Sequence, residues 1–219
     1  MLGIKEKPKI SKDKRFIPIE KFNMKCMSIG FLVDQATPVI WRGPMIIKAL
    51  KQMLNGVVWD KVDTLIIDLP PGTGDVQLTL TQKAPLSGAV VVTTPQEVSL
   101  IDADKGVKMF QQVKVPLLGI VENMSYFVCD SCDKKHTIFK EGGGKNLADT
   151  FQIPLLGKVP IIPGVVEGGD SGVPIVMGDA QSPASQAYKE LAGQVAAQLS
   201  INQSKDDMVD ASFELAWKS

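Results

Sequence analysis

Apolar residues along this chain fall into two alternating patterns. Short unbroken runs recur at 65–67 (LII), within 87–93 (SGAVVVT), at 115–121 (VPLLGIV) and within 153–159. Each is bounded by Pro, Gly or polar residues. An unbroken run of this length predicts a strand buried on both faces, the habit of parallel sheets. Between the runs, apolar residues recur every three or four positions. Gly43 and Pro44 open one such stretch, with Ile46, Ile47, Leu50 and Leu54 on one stripe, which predicts an amphipathic helix. Asp75 is placed to cap a helix over 76–83. Thr94-Pro95-Gln96-Glu97 reads as a capping box with Pro at the first helical position, opening a helix to about Val113. Ser182 and Pro183 start the last clear helix, whose apolar face is Ala184, Ala187, Tyr188, Leu191, Val195 and Leu199. MKCMSIGFL at 24–32 reads as a further strand, with Cys26 as a small buried hydrophobe.

Strands alternating with helical stretches predict an α/β fold: a doubly wound, mostly parallel sheet with helices on both faces. The expected organisation is a basic irregular lead-in (1–21), a single domain (22–200) and a frayed polar tail (201–219). A loop rich in Gly and Asp is expected from 163 through GVPIV at 172–176. No internal repeat interrupts this plan.

The candidate chemistry begins with LIIDLPPGTGD at 65–75. Asp68 closes an apolar run, and ligands of open α/β sheets bind beyond the carboxyl ends of the strands. A carboxylate there can hold Mg²⁺ through its water shell, as the second acidic motif of P-loop nucleotide hydrolases does. The alternative is a strand-end Asp that caps a turn. A second motif interrupts the α/β rhythm at 126–140, which carries Cys129, Cys132 and the single histidine, His136. On the residues alone, C-x-x-C fits a metal or redox role and leaves a structural zinc site and a free thiol pair open. Asn123, at a strand end, reads as a turn residue or as a ligand-side residue.

Composition narrows the partners. Lys+Arg and Asp+Glu each number 24 over 219 residues, so no polyanion is expected as partner and nucleic acid is set aside. No apolar run reaches the length of a membrane span. Three cysteines do not form a secreted disulfide framework and suit a reducing compartment. The phosphate loop G-x-x-x-x-G-K-[ST] is not found. The nearest approach, GGGK at 142–145, has Phe139 where the first glycine belongs and Asn146 where Ser or Thr belongs. It reads as an ordinary loop before a helix, and the chain reads as beginning after the first strand and phosphate loop of its fold.

Taken together, LIIDLPPGTGD, VTTPQ at 92–96, NMSYFVC with its C-x-x-C, HTIF followed by GGG, and DSGVPIV resemble the Mrp/ApbC-type P-loop proteins, which bind ATP and carry iron–sulfur clusters. KCMSIGFLV at 25–33 and VIWRG at 39–43 are most similar to the mitochondrial branch that serves respiratory complex I assembly. The resemblance spans roughly 21–200. It implies that Cys129 and Cys132 of two copies hold one [4Fe–4S] cluster between them, since such a cluster takes four thiolates. It implies Asp68 as the Mg²⁺-linked acid, Pro70, Gly72 and Gly74 as the loop that senses the γ-phosphate of ATP, and Asn123 beside the adenine. It implies delivery of clusters to apo-proteins by a homodimer, or by a heterodimer with a homologue, in the mitochondrial matrix or otherwise the cytoplasm.

Two departures bear on this. Without the phosphate loop, its amides and lysine are not there to attract phosphate, so ATP and Mg²⁺ binding by these residues is in question. The family's usual arginine near Val165 and Val166 is also missing. The alternatives are a nucleotide-switch ATPase relative with structural zinc, and a non-catalytic partner of a full-length homologue.

Overall fold

The structure is a computed structural model. It describes residues 1–32, 43–69, 74–129, 131–132 and 134–217. Trp41, Arg42, Pro70 and Gly72 lie outside the described residues. The chain divides into two compact units, Leu2–Lys83 and Ala84–Ser219, the second also taking in Met1.

In the first unit, β1 (Ile19–Lys21) and β2 (Met24–Cys26) form an antiparallel hairpin. Its two turn residues, Phe22 and Asn23, both have positive φ, at 50° and 59°, as a two-residue turn of the primed type requires. The strand expected over 24–32 therefore stops at Cys26. Ser28 then caps a 3₁₀ turn, Ile29–Phe31, by accepting the Gly30 N–H at 3.1 Å. The short polar side chain competes with the strand ladder for that backbone donor. Helix α1 (Gly43–Asn55) forms where the apolar stripe predicts it. The lead-in is tied down by bridges between Ile10 and Phe16 and between Phe16 and Val57.

Residues 65–68 do not form the expected strand. They carry no regular secondary structure and have no ladder partner among the described residues, with Leu65 42% and Ile66 88% exposed. An unbroken apolar run specifies burial once a strand forms, but the strand itself requires a hydrogen-bonded neighbour on its edge. Helix α2 (Asp75–Lys83) follows as expected.

The second unit is built on a three-stranded parallel sheet in the order β3 (Ala89–Thr93), β4 (Leu117–Glu122), β7 (Leu155–Lys158). Helix α3 (Glu97–Gln112) crosses from β3 to β4. Between β4 and β7 the chain inserts a small hairpin, β5 (Phe127–Val128) with β6 (Lys135–His136), and helix α4 (Gly143–Phe151). After β7 come α5 (Pro163–Ser171), α6 (Ile175–Gly178) and α7 (Pro183–Trp217).

Helices cover both faces of the sheet. On one face, Leu118, Val121, Leu156 and Val159 form a buried cluster against Tyr188, Leu191, Val195 and Leu199 of α7. On the other, Ile120 and Glu122 are fully buried and Glu122 reaches α4. Replacing Leu156, 5% exposed, with Ala is expected to cost about 2–5 kcal/mol, because lost transfer energy and an unfilled cavity add. A urea titration will read this as a lower midpoint at unchanged slope.

Three local expectations are corrected. The segment read as a Gly- and Asp-rich loop is helical over α5 and α6. Pro163 sits at the first turn of α5, and Gly172, with φ 80°, ends it by donating to Gly168 O. Gly168 costs helix propensity, but a Cβ there would lie 2.6 Å from Val173 O, so the return of the chain requires glycine. The helix begun at Ser182 does not fray at Ser200 and continues to Trp217, through a stretch with neither Gly nor Pro. The third correction is the start of α3. Its N-cap is Gln96 and Thr94 lies outside the helix. The Ser99 hydroxyl accepts the Thr94 N–H at 3.1 Å and meets the Thr93 hydroxyl at 3.0 Å. Ser99 thus does what Glu97 was expected to do.

Candidate functional site

The site grows from the carboxyl end of β4, the middle strand. Asn123 N–H continues the ladder to Thr93 O (2.7 Å), and then the chain turns. The Asn123 side-chain oxygen accepts the Met124 N–H at 2.9 Å, and Met124 takes a φ of 53°. Asn and Asp favour such turns because their short side chains reach the next backbone amides. The turn reading of Asn123 is thus satisfied by geometry, in a half-buried residue at a strand end.

Past the turn, the insert is zipped to the segment after β7. Ser125 N–H donates to Val159 O (3.0 Å), Ile161 N–H donates to Tyr126 O (2.7 Å), and Phe127 bridges Ile161. Strand β5 then leads outward to the cysteines. Cys129 N–H donates to Lys134 O at 3.0 Å and closes the hairpin. Both thiols therefore sit at the tip of a hairpin whose root is fixed. Neither is in a disulfide; Cys129 is half-buried and Cys132 is exposed. Three residue steps hold their Cα atoms within about 11 Å. Lys135, next to the tip, lies over the Tyr126 ring at 4.0 Å from its centroid, which spends its charge on the aromatic face. His136 is exposed and faces Phe127 across the ladder.

Among the described residues, no three His, Cys, Asp or Glu side chains come together to hold a metal ion. The tip offers two sulfur donors, a set suited to soft metals and iron–sulfur clusters, and a tetrahedral site or a cluster needs more ligands. Cys26, in the first unit, is different. Burial pushes its thiol up, so it holds less thiolate at neutral pH. Cys26 is expected to alkylate with iodoacetamide more slowly than the exposed Cys132, read by peptide mass spectrometry, with the gap closing as pH rises.

The return of the insert was not legible in the sequence. GGGK was expected to be an ordinary loop, yet each glycine has its own reason. Gly142 is the N-cap of α4 with φ 80°. A Cβ on Gly143 would lie 2.7 Å from Leu100 and 3.1 Å from Pro95 O. A Cβ on Gly144 would lie 2.9 Å from Glu122 Cβ. Glu122 itself is 0% exposed. Ser125 donates its hydroxyl to Glu122 Oε1 at 2.5 Å, and Gly144 donates its N–H to Oε2 at 2.6 Å. The signal was an acid inside an otherwise apolar run with a serine three residues on. Beside Gly143 lies a shallow depression of about 230 Å³, lined by Pro95, Glu97, Leu100, Lys140 and Asn146.

Of the residues expected at the nucleotide, Asp68 and Gly74 are exposed and belong to the first unit, Asp68 at the end of the unpaired run. Among the described residues, no helix is long and apolar enough to cross a membrane.

A parallel sheet with helices on both faces is a doubly wound α/β arrangement, and likeness to solved structures puts it in the P-loop nucleotide hydrolase class. The nucleotide-binding protein of Archaeoglobus fulgidus, in complex with ADP, superposes with TM-score 0.63 at 36% identity, covering 76% of this chain and 64% of that one. The cell division ATPase MinD of Pyrococcus furiosus, at TM-score 0.50 and 23% identity over 69% of this chain and 57% of its own, shares the fold.

Within that class the chain belongs to the ParA group described as NUBPL iron-transfer P-loop NTPases, whose family model matches residues 1–196. It is 46% identical over 195 residues to the Arabidopsis thaliana "iron-sulfur protein required for NADH dehydrogenase, mitochondrial", covering 89% of this chain and 62% of that protein. It is 46% identical over 194 residues to the "iron-sulfur cluster carrier protein" of Pseudomonas fragi, covering 88% and 68%. It is 42% identical over 199 residues to the "iron-sulfur cluster transfer protein NUBPL" of Mus musculus, covering 91% and 62%. The chain thus spans about three-fifths of the length of the plant and mouse relatives.

Proposed function

We propose that this chain is an iron–sulfur cluster carrier, in which Cys129 and Cys132 of two copies, or of one copy and a homologue, hold a [4Fe–4S] cluster for delivery to apo-proteins. The observation that carries this is the pair of thiols at the tip of a rooted hairpin, a donor set that a second chain must complete. The names of the plant, mouse and bacterial relatives support the cargo. The plant relative's name supports recipients in NADH dehydrogenase and a mitochondrial compartment. Asp68, Pro70, Gly72, Gly74 and Asn123 stand as the nucleotide-side residues of the proposal.

Handover is ligand exchange. A recipient thiolate forms an Fe–S bond as one from Cys129 or Cys132 breaks, and the departing thiolate takes up the proton that the recipient thiol released. No electron moves. The exposed position of Cys132 leaves room for the incoming group, and the backbone bond from Cys129 N–H to Lys134 O holds the tip in place meanwhile.

Anaerobic reconstitution with iron and sulfide tests the proposal. About two irons and two sulfides per chain are expected, with absorbance near ~400 nm and the mass of a pair, since four thiolates hold one cubane. Zinc bound without sulfide, or a colourless single chain, would overturn it.

A further inference from the structure

Glu122 is the one fully buried carboxylate among the described residues, and the proposed chemistry does not use it. We propose that it is a positioning residue for the cysteine hairpin, closing the insert at both ends through one side chain. This rests on reading Cys129 and Cys132 as cluster donors.

The geometry is specific. The hairpin segment begins just after Ser125 and ends where α4 begins, with Gly144 in its first turn. Ser125 and Gly144 each donate to a different oxygen of Glu122, at 2.5 and 2.6 Å. The Glu122 carbonyl accepts the Val159 N–H at 2.9 Å, and the Ser125 N–H donates to Val159 O at 3.0 Å. Start and finish of the insert and the segment after β7 therefore meet at one residue. Gly144 supplies an independent sign of the same constraint. A Cβ there would lie 3.0 Å from Glu122 Oε2, so α4 starts where only a hydrogen fits.

A buried carboxylate is a poor choice for stability alone. Its desolvation is costly, and an apolar side chain of similar volume packs as well. What the charge adds is direction. Two donors and the positive end of α4 satisfy it only when β4, Ser125 and α4 are in one relative register. Two sulfur donors that must meet two more on another chain need such a fixed presentation. Groups hydrogen-bonded to a metal ligand commonly change metal affinity 10–100-fold when removed, and Glu122, which acts on the cysteines only through Ser125, Gly144 and the hairpin backbone, is expected at the low end of that range.

The test uses the full 219-residue chain and compares Glu122→Ala, Glu122→Gln and Leu156→Ala. Hydrogen–deuterium exchange is read over 126–144, and Co²⁺ alone is titrated by its thiolate charge-transfer absorbance. Glu122→Ala is expected to speed exchange across the insert and at the Gly144 amide by roughly tenfold or more, and to weaken Co²⁺ binding roughly tenfold. Glu122→Gln is expected to recover most of both. Its carbonyl still accepts from Gly144, and the Ser125 hydroxyl can turn to accept from the new amide. Leu156→Ala lowers stability on the opposite face and is expected to leave both readouts as in the unaltered chain. Should Glu122→Ala fail to fold, Ser125→Ala carries the test, with faster exchange expected over 126–129. Exchange and Co²⁺ affinity unchanged in Glu122→Ala, or in Ser125→Ala in its place, would overturn the proposal, as would equal changes in Leu156→Ala. If the unaltered chain binds neither Co²⁺ nor a cluster, the carrier reading fails, and the exchange data still decide the role of Glu122.

Discussion

Changing both Cys129 and Cys132 to serine is expected to abolish the proposed iron and sulfide loading, and with it the proposed pairing of chains, while the fold survives. Serine keeps the shape of cysteine but offers a hard, protonated oxygen where iron–sulfur clusters take soft thiolates. Each chain of a pair would lose its whole share of the ligand set. Cys132 is exposed, Cys129 is half-buried, and neither is in a disulfide. The Cys129 N–H bond to Lys134 O belongs to the backbone and is kept by serine. Stability is expected to change by no more than about 0.5–1 kcal/mol. The measurement is anaerobic reconstitution followed by iron and sulfide assay, absorbance near ~400 nm and light scattering. A double variant that loads and pairs like the unaltered chain would show that the sulfurs do not hold the cargo. Either single variant leaves a pair of chains with half of its thiolates and is also expected to lose the cluster.

Gly119→Ala is expected to be the most damaging single change to the fold. Gly119 lies inside β4 with φ +148°, at the irregular stretch where β4 meets β3. A Cβ there would sit 2.4 Å from Pro154 O, 2.7 Å from Leu156 Cγ and 3.0 Å from its Cδ2. Neither neighbour can move cheaply. The Pro154 carbonyl accepts the Ile120 N–H at 2.9 Å, and Leu156 belongs to the buried cluster under α7. Backbone strain, a broken ladder bond and displaced core packing act together, for about 4 kcal/mol or more. For a chain of this length that is a fall in Tm of about 8–16 °C, read by circular dichroism on heating. Gly106→Ala is the control. Gly106 lies within α3 with nothing within 4 Å of where a Cβ would be, and Ala there is expected to stabilise by about 0.5–1 kcal/mol.

Much of the second unit was readable before any coordinates. The unbroken runs at 89–92 and 117–121 became β3 and β4, and the Tyr188, Leu191, Val195 and Leu199 stripe became the face of α7 that covers the sheet. These features are local: a run or a stripe says which side of an element must be buried. The readings that failed turn on a partner that no periodicity announces, whether a few residues on or on another element. The 65–68 run could not announce whether a strand would lie beside it. Thr94 looked like a cap until Ser99 turned out to hold its amide. The glycines at 143 and 144 looked like loop residues because what crowds them, Pro95, Leu100 and Glu122, lies 22 or more residues away for each pair in question or on another element.

The sequence by itself determined the α/β plan, the family and the candidate pair Cys129 and Cys132, because periodicity and motif are properties of adjacent residues. Only the tertiary structure decided that Gly119 must be glycine, that the unbroken run at 65–68 finds no ladder partner among the described residues, and that one buried carboxylate, Glu122, joins both ends of the cysteine insert. Those are matters of which backbone lies within a few ångströms of which, and close approach between distant segments leaves no pattern along the chain.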